Sequence, residues 1–257
     1  SDLGAYDNMQ KALRKALAAG VRITGGGGVE NVRPDAWYVR PALVEMAVEQ
    51  DDAILIVGSD PRHEAAVLNA RLRKRWRQGD VAIGLVGEKI DLTYPYEYLG
   101  AGPESLADIA STAFGKVLAG AALPLVIVGP GAFTRSDGPE VLAEAARLAT
   151  GASVEDGWNG LAVLHAAAAR VGGLDLRFVP GQGGLDTIGM VAAAATKALD
   201  VLFLLGADEL AMNALGSAFV VYIGSHGDAG AHRADVILPG AAYTEKSGTY
   251  VNTEGRV

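Results

Sequence analysis

The stretch HRADVILPGAAYTEKSGTYVNTEGRV, residues 232–257, concentrates reactive groups. A short apolar run ends at Leu238-Pro239-Gly240, and Thr244, Glu245, Lys246, Ser247, Thr249, Asn252, Thr253, Glu254 and Arg256 follow in close succession. Glu245 beside Lys246 could form an acid/base pair, and Lys246 beside Ser247 an activated serine, if burial moved one pKa. Adjacent side chains diverge on extended backbone, however, and such clusters more commonly fix irregular loops by bonding to the main chain. A structural role is therefore expected; an α/β hydrolase-like enzyme using Ser247 or Glu245 is the weaker alternative. His226, Asp228 and His232 have a spacing that could hold a metal, but a turn places such residues for ordinary hydrogen bonds, and no metal site is expected.

The same question applies to the glycine turns. GPGAFT (129–134) carries Gly129 and Gly131 but Thr134 where a dinucleotide fingerprint needs a third glycine, and GAGPES (100–105) and GQGGLD (181–186) fail similarly. The chain contains neither GxxxxGK[ST] nor a GxSxG nucleophile elbow. Plain nucleotide hydrolysis, hydride transfer and hydrolase chemistry all lose their usual signatures. With no cysteine, disulfides, iron-sulfur ligation, Cys-type zinc sites and a thiol nucleophile are excluded together.

Six short apolar runs must carry these turns: DAILIVG (52–58), VAIGLVG (81–87), LPLVIVG (123–129), DVLFLLG (200–206), FVVYIGS (219–225) and ADVILPG (234–240). Each is expected to be a strand buried on both faces. Between them, a helix is predicted from Pro61 to Gln78, with Ala65, Leu68, Leu72 and Trp76 on one stripe, Asp60 as N-cap and Pro61 as first helical residue. Strands alternating with such helices specify parallel crossovers, hence an α/β fold of two Rossmann-like parallel-sheet units. DLTYPYEYLGAGPES (91–105) shows no period, and a boundary is placed near Gly120, giving units 1–120 and 121–257. GGGG at 25–28 is taken as a turn after a strand VRIT.

The chain has 257 residues, half of them hydrophobic, and a net charge of −8, a globular composition that argues against nucleic-acid binding. No apolar run approaches the roughly 20 residues of a membrane helix, so no direct membrane insertion is expected. RLRKRWRQ (71–78) is a basic exception. Its cations either complement the negative end of a helix or form a docking patch for an acidic partner subunit. The chain opens on Ser1 rather than Met and is expected to be a piece of a longer protein.

GDAGAHRADVILPGAAYTEKSGTYVNTEGRV resembles the large iron-sulfur subunit, of the 75-kDa type, of respiratory complex I, NADH:quinone oxidoreductase. ILIVGSDPRHEAAVLNARLRKRW resembles it too, with DLTYPYEYLG and VLFLLGAD in the expected order. The likeness covers roughly residues 52–257 and corresponds to the C-terminal region of that large subunit, which is similar to molybdopterin oxidoreductases such as formate dehydrogenase. In those enzymes the matching segments surround a bis-pterin-guanine-dinucleotide cofactor. The resemblance thus implies pocket candidates Gly58, Ser59, Asp60, Pro61, Gly181, Gln182, Gly183, Gly184, Glu245, Gly248, Thr249, Asn252 and Arg256.

It further implies a non-catalytic scaffold domain that has lost molybdopterin, with no cofactor of its own and iron-sulfur clusters in a preceding region. The expected partners are the other peripheral-arm subunits of complex I. The expected location is the cytoplasmic face of a bacterial inner membrane, or the matrix side in a mitochondrion. The competing expectation is a molybdopterin- or nucleotide-binding oxidoreductase domain that still holds a ligand.

Overall fold

Val, Ile and Leu run without a polar break through AILIV and PLVIV, which become β1 (Ala53–Val57) and β4 (Pro124–Val128), buried at every position. They pair in parallel, Ala53 opposite Pro124 and Val57 opposite Val128, at the centre of a five-stranded sheet. The computed structural model that shows this describes residues 48, 51–150, 158, 160–165 and 170–251. The predicted VRIT strand and GGGG turn lie outside them.

β2 (Ala82–Val86) pairs with the other side of β1, β3 (Glu97–Gly100) lies beyond it, and β5 (Leu161–Val163) lies beyond β4. The order β3-β2-β1-β4-β5 reverses direction at β1, so right-handed crossovers put helices on both faces. On one face Ile54, Ile56, Ile83, Leu85, Leu125 and Ile127 form a core with Leu68 and Leu72, and Ala65 and Trp76 pack against it. That is the predicted helical stripe. The helix itself is divided into α1 (Pro61–Glu64) and α2 (Ala66–Gln78), because Ala65 leaves the helical region at φ −148° and ψ 65°. Three further helices complete the crossovers: α3 (Pro103–Asp108), α4 (Ala113–Gly120) and α5 (Gly138–Ala149).

The aperiodic segment 91–105 contains β3 and is held by its aromatics. Buried Tyr94 donates its hydroxyl to Asn69 Oδ1 at 2.9 Å, and Asn69 Nδ2 donates to the Leu92 carbonyl at 3.3 Å. Tyr96 and Tyr98 donate to the carbonyls of Ile90 and Gly87 at 2.5 and 3.1 Å. These bonds replace the hydrophobic alternation by which a strand is normally recognised.

The chain divides into two compact units, Ser1–Leu176 with Tyr250–Val257, and Arg177–Thr249. The division thus falls beyond the expected boundary near Gly120, because β4 and β5 join the sheet begun by β1. Such a pairing between strands about 70 residues apart leaves no mark in local periodicity. The first unit also contains the short helix α6 (Arg170–Asp175).

In the second unit, α7 (Thr187–Ala195) precedes a parallel sheet of β6 (Val201–Leu205), β7 (Phe219–Gly224) and β8 (Val236–Pro239), in the order β6-β7-β8, with α8 (Ala229–Arg233) before β8. Here burial departs from expectation. β6 alternates, with Leu202 and Leu204 buried while Phe203 and Leu205 are exposed, and β8 is exposed at all four positions. Strands advancing in one direction send their right-handed connections to one face only, so the opposite face gains no cover from them. ADVILPG is therefore an exposed edge strand rather than a buried one.

Candidate functional site

In an open α/β sheet, ligands bind outside the carboxyl ends of the strands near the point where strand order reverses. The first unit has a cavity of about 360 Å³ there, lined among others by Gly58, Ser59 and Asp60 after β1, Gly87 and Glu88 after β2, Gly102 before α3, and Gly131 and Arg135 after β4. The strand ladder continues into its rim: the Gly58 N–H donates to the Val86 carbonyl at 2.9 Å and the Gly129 N–H to the Val57 carbonyl at 2.9 Å. Gly58 sits at φ +57°, and a Cβ there would stand 2.7 Å from the Ala132 nitrogen. Glycine is required for both reasons.

Asp60 performs its expected capping role, accepting from the Arg62 N–H at 3.1 Å through Oδ1, while Oδ2 meets His63 Nδ1 at 2.7 Å. Pro61 is buried at the first helical position and does not line the cavity. The decisive contact comes from Glu64, for which the sequence suggested no role. Its Oε2 accepts from the Ser59 hydroxyl at 2.6 Å and from the Asp60 N–H at 3.1 Å. Those are donors of the strand-to-helix turn, the kind that would otherwise hold a phosphate oxygen. The only local signal for it is DPRHE, a capping box displaced by one residue.

The cavity's charge has the same sign. Asp60, Glu64 and Glu88 line it, and the lining cation, Arg135, is bound in bidentate fashion by Asp137 at 2.8 Å through both contacts. That bond, before the charge attraction itself, holds the Asp137 carboxyl below the usual carboxylate range.

The remaining described candidates belong to the second unit. Gly181, Gln182, Gly183 and Gly184 form an exposed turn closed by the Gly184 N–H on the Gly181 carbonyl at 3.0 Å, with Gly183 at φ +78°. Asp186 caps α7, accepting from the Gly189 N–H at 2.7 Å. After β8, Glu245 Oε2 accepts from the Ala242 N–H at 3.0 Å, and the Glu245 N–H donates to the Ala242 carbonyl at 2.9 Å. Glu245 thus staples its own turn. Lys246, Ser247, Gly248 and Thr249 are exposed, whereas Asn252 and Arg256 lie outside the described residues.

Other charges of the closing stretch are also structural. Asp235 Oδ2 accepts from the Val220 N–H at 2.8 Å, which chiefly holds its carboxyl below the usual range, and Arg233 donates to the Ala218 carbonyl at 2.8 Å. Asp52 does the equivalent before β1, accepting from the N–H groups of Ala122 and Leu123 at 2.9 and 3.1 Å. His226 Nδ1 meets the Ser225 hydroxyl at 2.9 Å, and the described residues contain no group of three or more His, Asp or Glu placed to hold a metal.

Residues 24–257 match the molybdopterin oxidoreductase family. The chain belongs to that family. Among its relatives is the mitochondrial NADH-ubiquinone oxidoreductase 78 kDa subunit of Neurospora crassa, 45% identical over 221 residues, covering 82% of this chain and 28% of that protein. The corresponding NADH-quinone oxidoreductase subunit of Rickettsia bellii is 40% identical, over 81% of this chain and 30% of its own length. The mitochondrial NADH dehydrogenase [ubiquinone] iron-sulfur protein 1 of Solanum tuberosum is 37% identical, over 99% and 34%. The chain therefore spans about a third or less of the relatives it matches. A chain of the formyltransferase/hydrolase complex from Methylorubrum extorquens shares the fold, with a TM-score of 0.62, 17% identity, and coverage of 97% of this chain and 75% of that one.

The molybdopterin oxidoreductase fold is present in this chain, and in the turn after β1 the Ser59 hydroxyl and the Asp60 N–H both donate to the Glu64 carboxylate.

Proposed function

We propose that this chain is a piece of the large iron-sulfur subunit of NADH-quinone oxidoreductase and acts as a non-catalytic scaffold domain in the peripheral arm of that complex, without molybdopterin. The observation that carries this is the Glu64 carboxylate on the Ser59 hydroxyl and the Asp60 N–H, in a cavity whose charged lining groups are mainly acidic. An internal carboxylate completes the hydrogen bonds that a cofactor phosphate would have made, so the fold persists without the ligand. NADH oxidation and quinone reduction then belong to the whole assembly, with its iron-sulfur clusters in other regions of the same polypeptide and its partners. No helix among the described residues is long and apolar enough to cross a membrane. Membrane association accordingly comes through partner subunits, on the cytoplasmic face in a bacterium or the matrix side in a mitochondrion.

The test is metal analysis together with pterin fluorescence after oxidative release, on the full-length protein purified from its own host. Background molybdenum and no pterin are expected. Stoichiometric molybdenum or pterin would overturn the scaffold role in favour of a domain that still holds its cofactor.

A further inference from the structure

The basic run at residues 71–77 gathers five of the chain's 22 lysines and arginines onto α2, and their surroundings divide them. Arg75 turns inward: Nε donates to the Asp51 carbonyl at 2.7 Å and Nη1 to the Gly79 carbonyl at 2.5 Å. It thereby secures the end of the helix, as cations near a C-terminus do. Arg73, Lys74 and Arg77 instead point to solvent, and none of the three forms an ion pair among the described residues.

Those three share a face with Val67 and Ala70, at the helical spacings 67, 70, 73/74 and 77, opposite the buried Leu68 and Leu72. Ala70, Arg73, Lys74, Arg77 and Gln78 line an open surface depression of about 380 Å³, and Val67, 78% exposed, stands one turn before it. The face is therefore apolar at its N-terminal end, narrow at Ala70 and cationic at its C-terminal end.

We infer that this face of α2 docks an acidic segment of another protein subunit, its carboxylates on Arg73, Lys74 and Arg77 and an apolar residue on Val67. Charge complementarity selects the occupant. Nucleic acid and anionic membrane both present extended negative charge to a chain of net −8, and three cations are a small counterweight. A local acidic segment meets the patch without meeting the rest. Ala70 has no side chain beyond Cβ and admits a neighbouring backbone, and Val67 adds the apolar contact that a purely electrostatic surface lacks.

This rests on the multi-subunit role proposed above, and its test separates the two. The full-length protein is purified in its native assembly, and acylation of Lys74 is measured by mass spectrometry there and in the polypeptide released from it. Lys74 is expected to react about tenfold or more slowly in the assembly, and carbodiimide to join it to an Asp or Glu of a different polypeptide. The triple variant R73E/K74E/R77E is expected to fold with an unchanged melting temperature but to be lost from the assembly, while R73K/R77K is retained. Equal reactivity of Lys74 in both states overturns the inference. So does protection that disappears on nuclease or lipid extraction with the protein subunits still bound. Isolation of the full-length protein as a monomer overturns the assembly role itself.

Discussion

His165 follows β5 with both ring nitrogens buried and without a hydrogen-bond partner among the described residues. Burial, and secondarily the positive charge of Arg170, lowers its pKa from the ordinary 6.5 to about 4. The neutral ring is thus favoured in the folded state, and protonation favours unfolding. The contribution is complete above pH 6.5, falls as pH drops from 6.5 toward 4, and is then exhausted. At about 1.4 kcal/mol per pKa unit, the loss across that window is about 3 kcal/mol.

Urea unfolding of the wild type and His165→Leu between pH 7.5 and 4 isolates it. None of the three tryptophans lies within residues 177–249, and Trp76 and Trp158 belong to the first unit, so tryptophan fluorescence follows that unit rather than the second. The stability of the wild type relative to His165→Leu is expected to decline toward low pH by up to about 1.4 kcal/mol per unit, and titration of the ring by nuclear magnetic resonance to give a midpoint near 4. A flat difference between the two proteins over that range, or a midpoint near 6.5, refutes the reasoning.

Three other perturbations follow from the bonding described. Glu64→Gln removes the charge facing the Ser59 and Asp60 donors; pyrophosphate binding is expected to be undetectable by calorimetry in the wild type and to become measurable in the variant, and no gain would remove the support from the occupied turn. Asp52→Ala frees the N–H groups of Ala122 and Leu123 at the entry to β4 and is expected to cost the first unit about 2 kcal/mol, read as a lower urea midpoint with unchanged slope. Gly58→Ala combines positive φ with a Cβ 2.7 Å from the Ala132 nitrogen and should cost about 3 kcal/mol or more; a melting temperature within a degree or so of wild type would contradict the close approach of the two turns.

Local sequence determined the elements whose causes are local. The runs AILIV, AIGLV, PLVIV, VLFLL, FVVYIG and VILP are strands because continuous branched apolar residues suit a pleated layer, and Asp60-Pro61 starts a helix because its cap and fixed φ act within three residues. The family was also legible, since its motifs are contiguous. Tertiary structure decided what depends on distant partners. β3 and β5 are too short to carry a pattern, and β3 is held by tyrosine hydroxyls rather than alternation. The unit boundary depends on β4 returning to β1, and the exposure of β8 on which face the crossovers cover.

The site divides in the same way. Gly58, Ser59 and Asp60 were visible as a turn, yet Glu64 acquires its role only because the helix breaks at Ala65 and its carboxylate reaches back across that turn. A glutamate on an exposed helix is ordinarily solvated. Whether it binds water or the donors of the turn after β1 is set by the path of the backbone, which residue identity alone does not encode.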